Sequence, residues 1–220
     1  GDISFEDLVY GKINTKCSEL DDFIIARSDG SPTYNLTVVV DDNDMNISHV
    51  IRGEDHISNT PKQMLIYKAL GWTMPKFGHL PMILGSDGKR LSKRHGAKGT
   101  SEYKDLGYLP DTLINYLALL GWNPGNDDEI FDFNYLQENF SLDKVNKKSA
   151  VFDTIKLEWV SSQNIFKIPA VKLVDIASEF DPTWCGEGHS LEYLVKVIEL
   201  IKDRIKTLSD IKEKIGRAHV

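Results

Sequence analysis

The spacing of apolar and polar positions changes at about residue 98. Before that point, apolar segments are short and are separated by Gly, Asp and Pro, as in residues 1–30, which is typical of strands and turns. Residues 49–52 and 77–84 are two further candidate strands, and the segment between them has a helical pattern. A strand, a helix and a strand in succession predict a βαβ unit with parallel strands.

The predicted helix between these strands carries start and stop signals. Thr60 is a candidate N-cap, Pro61 fits the first helical position, and Gln63 completes a capping box. Gly71 follows the last apolar position and suits a C-terminal stop. Ligands bind where parallel strands end, so we expect a site after residue 52 and after residue 84.

After residue 98 the apolar period is helical. We expect a first helix that is capped by Asp111 and ends at Gly121. Four apolar residues share one face of it: Leu113, Ile114, Leu117 and Leu120. Further helices are predicted near residues 133–140, 154–163, 169–180 and 191–208. The last carries a core stripe of five residues: Leu191, Leu194, Val195, Ile198 and Ile201.

A cationic segment follows the second candidate strand. Residues 88–96 hold two glycines and a hydroxyl together with four fixed cations: Lys89, Arg90, Lys93 and Arg94. Glycines let the backbone approach a ligand, and Lys and Arg bind phosphate oxygens through charge-assisted bonds. The alternative is a solvated basic turn without a ligand. The pattern alone therefore indicates a candidate phosphate site.

Composition bounds the class of protein. The 220 residues carry a formal net charge of −7, yet Asp87 is the only acid between residues 86 and 100. Local potential governs phosphate binding, so the acidic total does not exclude a nucleotide or nucleic acid. No apolar run approaches the roughly 20 residues that cross a membrane. Cys17 and Cys185 are too few for a zinc site of their own, and we expect reduced thiols and no protein metal site.

The segment Arg90-Leu91-Ser92-Lys93-Arg94 resembles the KMSKS signature of class I aminoacyl-tRNA synthetases. Its neighbours are SDGSPTYN at residues 28–35, VVVDD at 38–42, HVIRGEDH at 49–56, NTP at 59–61, GHLP at 78–81, GYLP at 107–110 and NYLALLGW at 115–122. In this order and spacing the set closely resembles bacterial-type glutamyl-tRNA synthetases, most tightly between residues 22 and 122.

The resemblance implies a fold class and a division into domains. It implies an α/β second half of a class I Rossmann-type catalytic domain, followed by an all-α stem-contact and anticodon-binding region. Residues 34–40 favour a strand by propensity, but the resemblance implies a helix there. The implied bounds are residues 1–30 for the end of the insertion domain, 31–98 for the catalytic half, 99–168 for the stem-contact domain and 169–214 for the start of the anticodon-binding domain.

The same resemblance implies roles for individual residues. Lys93 would act on the ATP phosphates as the catalytic residue, and Tyr34 and Arg52 would bind glutamate. Other ATP-binding positions are implied at Ile83, Arg90, Leu91, Ser92 and Arg94. Asp55 and His56 would lie near the ribose and the substrate. Arg52 is suited to this role because its guanidinium binds a carboxylate bidentately and discriminates against the neutral amide of glutamine. The alternatives are a structural ion pair for Arg52 and a core position for Tyr34.

The implied activity is that of a glutamate–tRNA ligase, which activates glutamate with ATP and transfers it to tRNA(Glu). Mg²⁺ would arrive with ATP, tRNA(Gln) is a second candidate acceptor, and we expect a monomer in the bacterial cytoplasm or an organellar matrix. Five lysines are candidate phosphate contacts: Lys144, Lys147, Lys148, Lys156 and Lys167. The alternatives are a non-catalytic tRNA-binding remnant and a glutamyl-queuosine tRNA synthetase, which lacks the helical C-terminal domains.

The chain lacks the HIGH signature of the family's N-terminal half, and we expect an internal piece of a longer protein that is inactive alone. Lys93 and its cationic turn are expected to lie at the carboxyl edge of the sheet and to face a pocket that Arg52 closes from the other side. Residues 215–220 read like a translated sequencing adapter, and we expect an artefactual tail there.

Overall fold

A computed structural model describes residues 1–95 and 98–218. The end of the predicted cationic loop, Gly96, and the last two residues of the predicted tail, His219 and Val220, lie outside the described residues. The fold is α/β up to about residue 98 and mainly helical after it, which confirms the predicted fold class.

A four-stranded sheet organises the first part of the chain. Its strands are β1 (Asp2–Asp7), β2 (Gly11–Lys16), β3 (His49–Gly53) and β4 (Lys76–Leu80), in the order β2-β1-β4-β3. The β3 and β4 strands pair in parallel from His49 opposite Lys76 to Gly53 opposite Leu80, as the βαβ pattern predicts. Strand β1 is antiparallel to β2 and parallel to β4. The carboxyl ends of β1, β3 and β4 therefore point in one direction.

The predicted single strand at residues 77–84 is wrong in its length. The structure divides it into β4, which ends at Leu80, and β5 (Ile83–Leu84). Pro81 stands between them, and proline has no N–H with which to continue a strand ladder. Strands β5 and β6 (Ala150–Val151) form a separate two-stranded sheet.

Helices α1 (Tyr34–Asp44) and α2 (Thr60–Leu70) accompany the larger sheet, and their shared core contains Val39, Ile66 and Tyr67. Helix α1 confirms the helix implied by the resemblance over the strand favoured by propensity. Helix α2 ends as predicted, because Gly71 has φ +70° and takes the left-handed conformation.

The predicted N-cap and capping box of α2 are wrong. A 3₁₀ helix at Glu54–Asn59 leads directly into α2, and Asn59 occupies the cap position without a side-chain cap bond. The Thr60 hydroxyl instead receives a bond from Arg52, and the Gln63 amide donates to Asn35. The preceding turn of helix removes the free amides that a capping box would satisfy.

The second part of the chain contains α3 (Thr100–Asp105), α4 (Pro110–Gly121), α5 (Phe133–Asn139), α6 (Thr154–Lys167), α7 (Ala170–Phe180), α8 (Leu191–Ile201) and α9 (Ser209–Ala218). Helix α4 begins at Pro110 with Leu109 at the cap, so the predicted Asp111 cap is wrong. The four residues of its predicted apolar face lie within this helix, but Ile114 is 38% and Leu117 is 56% exposed.

The core of helices α6 to α9 is apolar. Ile198 and Ile201 of the predicted α8 stripe are buried, Leu194 and Val195 pack against the core, and Leu191 is 54% exposed. Helix α9 includes residues 215–218, whose proposed artefactual origin stays a prediction.

The chain divides into two compact units: Gly1–Met82 with Ser141–Ala150, and Ile83–Phe140 with Val151–Val220. The domain bounds implied by the resemblance stay predictions. Among the described residues, no helix has the length and apolar character needed to cross a membrane.

Candidate active site

The carboxyl ends of β3 and β4 bring polar side chains together in the first unit. Arg52 lies one residue before the end of β3, directly opposite His79 of β4. Its Nε donates to His79 Nε2 at 3.2 Å, and its Nη2 donates to Thr60 Oγ1 at 2.8 Å. These two bonds hold one edge of the partly buried guanidinium, so its orientation is fixed by the protein.

The surroundings of Arg52 leave its guanidinium charged. Burial lowers the pKa of Arg52, while Tyr34, Asp42 and Asp55 act in the opposite direction. The guanidinium still carries its charge at neutral pH, because an arginine pKa lies many units higher. The hypothesis of a simple ion pair with Asp42 is not supported, because the hydrogen bonds described for Arg52 go to His79, Thr60 and Tyr34, and Asp42 acts on it only through its charge.

Tyr34 and His56 form a second pair close to this arginine. The Tyr34 hydroxyl lies 3.2 Å from His56 Nδ1, and the two rings are 5.7 Å apart between centroids. Tyr34 is 48% exposed at the start of α1, so the alternative of a core aromatic is wrong. Asp55 is exposed in the 3₁₀ helix after β3. The first unit therefore brings Tyr34, Arg52, Asp55 and His56 to the same end of β3.

Sequence reasoning missed the support behind Arg52. His79 is fully buried, and its Nδ1 lies 2.6 Å from Oδ2 of Asp7, the last residue of β1. The other oxygen of Asp7 accepts from the backbone of Val9 and Tyr10, both at 2.9 Å, and from the backbone of His79 at 3.3 Å. A signal was present, since an Asp followed by a turn after a strand is a common backbone cap, but the pairing of β1 with β4 is not visible in the sequence.

Glu54 has a structural role. Its Oε1 accepts from the backbone N–H of Met82 at 2.9 Å, and its Oε2 accepts from the Tyr10 hydroxyl at 2.5 Å. Both oxygens are therefore occupied by the protein. Burial, followed by Glu54, raises the pKa of Tyr10, so this hydroxyl remains a donor at neutral pH.

The KMSKS-like residues form a hairpin in the second unit. Leu84 pairs with Arg90 in an antiparallel bridge, and the Leu91 N–H donates to the Ile83 carbonyl at 2.8 Å. The turn between them is closed by a bond of 2.7 Å from Gly85 N–H to the Lys89 carbonyl. Gly88 has φ +74°, a backbone conformation that glycine adopts without strain.

The hairpin positions the cations that follow it. Leu91 and Ser92 are partly buried, while Arg90 is exposed, and Lys93 and Arg94 are exposed in a short 3₁₀ helix at Lys93–His95. This arrangement leaves two adjacent cationic side chains accessible to a phosphate group. One segment of the second unit thus brings together Ile83, Arg90, Leu91, Ser92, Lys93 and Arg94.

In the part of the chain that the structure describes, no group of three or more His, Cys, Asp or Glu side chains could hold a metal ion. Cys17 is exposed, Cys185 is partly buried, and both are free thiols.

The parallel sheet carries an oriented guanidinium at its carboxyl edge, and a cationic hairpin follows it in the chain. These features define an α/β domain suited to anionic ligands. The sequence profile described as "tRNA synthetases class I (E and Q), catalytic domain" matches residues 1–159. The chain belongs to this family.

Individual relatives agree with the profile. Glutamate–tRNA ligase 1 of Syntrophus aciditrophicus (strain SB) is 49% identical over 208 residues, which cover 94% of this chain and 44% of the relative. Glutamate–tRNA ligase of Herminiimonas arsenicoxydans is 47% identical over 211 residues, with 96% and 45% covered. A crystal structure of a glutamate tRNA ligase from Elizabethkingia meningosepticum CCUG26117, in complex with its amino acid, superposes with a TM-score of 0.87 at 31% identity and covers 98% of this chain and 46% of that one. The chain thus spans a little under half the length of these relatives.

Proposed function

We propose that this chain supplies the second half of the catalytic domain and the adjoining helices of a glutamate–tRNA ligase. The intact enzyme would join glutamate to AMP with ATP and then transfer the glutamyl group to the 3′ end of tRNA(Glu). The observation that carries the proposal is the guanidinium of Arg52, which is oriented by His79 and Thr60 beside Tyr34. A fork held in this way suits a substrate carboxylate better than a neutral amide.

In this proposal the hairpin binds ATP. Lys93 would stabilise the negative charge that develops on the departing pyrophosphate, which is the type of stabilisation that lowers a transition-state barrier most. Arg90, Ser92 and Arg94 would contact phosphate oxygens, and the backbones of Ile83 and Leu91 would border the nucleotide. Mg²⁺ would enter with ATP, coordinated mainly by phosphates. Asp55 and His56 would lie near the ribose and the substrate.

The proposal extends to partners and place of action. Exposed lysines of the second half, among them Lys147 and Lys148, would contact tRNA phosphates. tRNA(Gln) is a further acceptor to test, and we propose a monomer that works in a bacterial cytoplasm or an organellar matrix. We propose that this chain alone, even with tRNA, does not catalyse glutamate-dependent exchange between ATP and pyrophosphate.

A chimera tests the assignment. The chain would replace the matching 208 residues of the Syntrophus aciditrophicus relative, and ATP–pyrophosphate exchange would be measured with L-glutamate and with L-glutamine. We expect exchange with glutamate only. Lys93→Ala should lower the rate by about 100-fold, the order of effect seen when one transition-state donor is removed. Lys98→Ala, which removes an exposed lysine outside the proposed site, is the matched control and should leave the rate unchanged.

The same chimera distinguishes the alternatives. A folded chimera that binds tRNA but supports no exchange with any amino acid would favour a non-catalytic tRNA-binding remnant. Exchange followed by transfer to a modified tRNA base instead of the 3′ end would favour a glutamyl-queuosine enzyme.

A further inference from the structure

We infer that Asp7 and His79 are positioning residues that hold the substrate-binding fork of Arg52 in place by fixing the tautomer of the His79 ring. The inference rests on the proposed function, which gives Arg52 the carboxylate of the amino acid. It assigns a role to two buried side chains that make no contact with the substrate themselves.

The first step is the fixed orientation of the Asp7 carboxylate. Its Oδ1 accepts backbone bonds from Val9, Tyr10 and His79, so the side chain cannot rotate without losing three bonds. Oδ2 is thereby directed at His79 Nδ1, 2.6 Å away. The backbone and imidazole bonds to the charged form lower the pKa of Asp7 although burial acts to raise it, so the group is an acceptor at neutral pH.

The second step is the state of the imidazole. An ionised carboxylate only accepts hydrogen bonds, so Nδ1 of His79 carries the proton. Burial lowers the pKa of His79 despite the opposing influence of Asp7, and the ring is therefore neutral at neutral pH. A neutral ring with its proton on Nδ1 has a lone pair on Nε2.

The third step joins the imidazole to the arginine. Arg52 Nε always carries hydrogen, and it donates to His79 Nε2 at 3.2 Å. The other tautomer, or a protonated ring, would set an N–H against this N–H and repel it. Thr60 Oγ1 holds the adjoining Nη2 at 2.8 Å, so the Nε–Nη2 edge of the guanidinium is fixed to the protein. These bonds leave Nη1 and the second N–H of Nη2 for Tyr34, which also hydrogen-bonds to Arg52, and, in the proposed function, for a substrate carboxylate.

Asp7 and His79 lie in buried, largely apolar surroundings, which favour an influence of Asp7 on Arg52 through the hydrogen bonds of His79. Asp7 is 4% and His79 0% exposed, and the Phe5 and Phe77 rings lie 6.0 Å apart at their centroids beside them. The Arg52 guanidinium carbon lies 5.8 Å from the Phe77 ring centroid. These apolar rings offer Arg52 no acceptor that could replace His79 Nε2, so the neighbouring side chains on that side do not compensate for a change of tautomer.

The decisive variant is Asp7→Asn, since it keeps the shape and one oxygen for the backbone bonds but presents an amide N–H to His79 Nδ1. We expect this variant to move the His79 ring proton to Nε2, because Nδ1 must accept from the introduced amide where it donated to the Asp7 carboxylate. Ring nitrogen chemical shifts of His79 in the full chain should report Nδ1–H in the parent and Nε2–H in the variant. The Arg52 Nε–H signal, sharp in the parent, should broaden through faster exchange with water. Asp29→Asn is the matched control, because Asp29 also accepts from a local backbone N–H but has no histidine partner.

Kinetics in the chimera described above give the functional readout. We expect Asp7→Asn to raise the KM for glutamate on the order of 10- to 100-fold, the size of effect that a small misplacement of a binding group produces. kcat and the KM for ATP should change little. His79→Leu should raise the KM for glutamate similarly. His79→Gln should raise it less, because the glutamine amide can donate to Asp7 and accept from Arg52.

The outcomes separate the two proposals. If the chimera uses glutamate but Asp7→Asn leaves the glutamate KM and the Arg52 signal unchanged, or lowers only kcat, the positioning role is overturned and Asp7 is purely structural. An Nε2–H ring in the parent chain overturns it as well. A parent chimera that activates no glutamate overturns the proposed function, and the substrate-related part of this inference with it.

Discussion

At the scale of single residues, the guanidinium of Arg52 makes bonds that a lysine cannot reproduce. A lysine has no Nε–H for His79 and no planar fork for a carboxylate. We expect Arg52→Lys in the chimera to raise the KM for glutamate on the order of 10- to 100-fold, since a hydrogen bond to a charged group contributes about 1.5–3 kcal/mol. Steady-state exchange kinetics measure this. Arg27→Lys, in an exposed turn of the same unit, should leave the KM at its parent value.

The buried histidine also makes stability depend on pH. Burial, with Arg52 and His56 adding to it, lowers the pKa of His79 from 6.5, and Asp7 opposes the shift. The unfolded chain therefore takes up a proton near pH 6.5 that the folded chain takes up only at lower pH. The free energy of unfolding should fall as the pH drops below this value. Asp7, whose pKa is lowered from 3.8, adds a further loss at more acidic pH.

Urea unfolding of the full chain at about pH 7.5 and about pH 5.5 measures the contribution of His79 to the pH dependence of stability. His79→Gln should lose part of the pH dependence, because glutamine does not titrate. His189→Gln is the comparison, since it replaces an exposed histidine. An equal pH dependence in the parent and His79→Gln would contradict the expectation.

The residue scale also shows what the sequence could not reveal. Arg52 and Tyr34 could be selected because they lie in motifs that resemble a known family. Asp7 could not, because its partner His79 is distant in the chain and meets it only through the parallel pairing of β1 and β4. Long-range pairing of strands leaves no local periodicity to detect.

At the scale of elements, helix α4 shows why the positions of apolar residues do not by themselves identify the buried face of a helix. Asn115 and Tyr116 are buried, although neither belongs to the predicted apolar face. Asn115 bonds the carbonyl of Glu129 and the N–H of Phe131, and the Tyr116 hydroxyl bonds both backbone groups of Asp153. A polar side chain can occupy a core position when distant backbone groups satisfy it, and periodicity does not reveal those partners. In α8 the predicted stripe was confirmed at Leu194, Val195, Ile198 and Ile201, whereas Leu191 is exposed.

A glycine joins two helical elements of the second unit. Gly107, between α3 and α4, has φ +81°, and a Cβ there would lie 2.7 Å from the backbone nitrogen of Ser209 and 2.9 Å from that of Leu208. Its carbonyl accepts the Leu208 N–H at 2.9 Å. Both the backbone conformation and the approach of α9 exclude a side chain.

We expect Gly107→Ala to lower the free energy of unfolding by about 2–4 kcal/mol, the sum of left-handed strain and a clash that rigid backbone cannot relieve. Gly125→Ala is the matched control. Gly125 has φ +97° but no atom within 4 Å of the added Cβ, so only the strain of roughly 1–2 kcal/mol applies. Urea unfolding of both variants measures the difference. Equal losses would show that the contact with α9 contributes nothing.

At the scale of the whole molecule, charge and proposed partner have to be reconciled. The chain has a net charge of −7 and a calculated isoelectric point of about 5.4, which would oppose a polyanion if the charge were evenly spread. The structure shows which of the predicted lysines are already engaged. Lys156 pairs with Glu129 and lies 4.0 Å from the centroid of the Trp159 ring, whereas Lys147 and Lys148 are exposed. Exposed lysines such as Lys147 and Lys148 suit contacts with phosphate groups.

If tRNA is the partner, its affinity for the full chain should fall steeply with salt despite the acidic total, because each phosphate contact releases counterions. We expect the double variant Lys147→Ala/Lys148→Ala to weaken binding and to reduce the slope of log K against log salt by up to about two, one for each lost contact. Lys196→Ala, which removes a lysine paired with Glu192 on α8, should leave the slope unchanged. Filter-binding titrations at several salt concentrations decide between these outcomes. A slope that the double variant does not alter would place the tRNA contacts on other cations and remove these two lysines from the proposed interface.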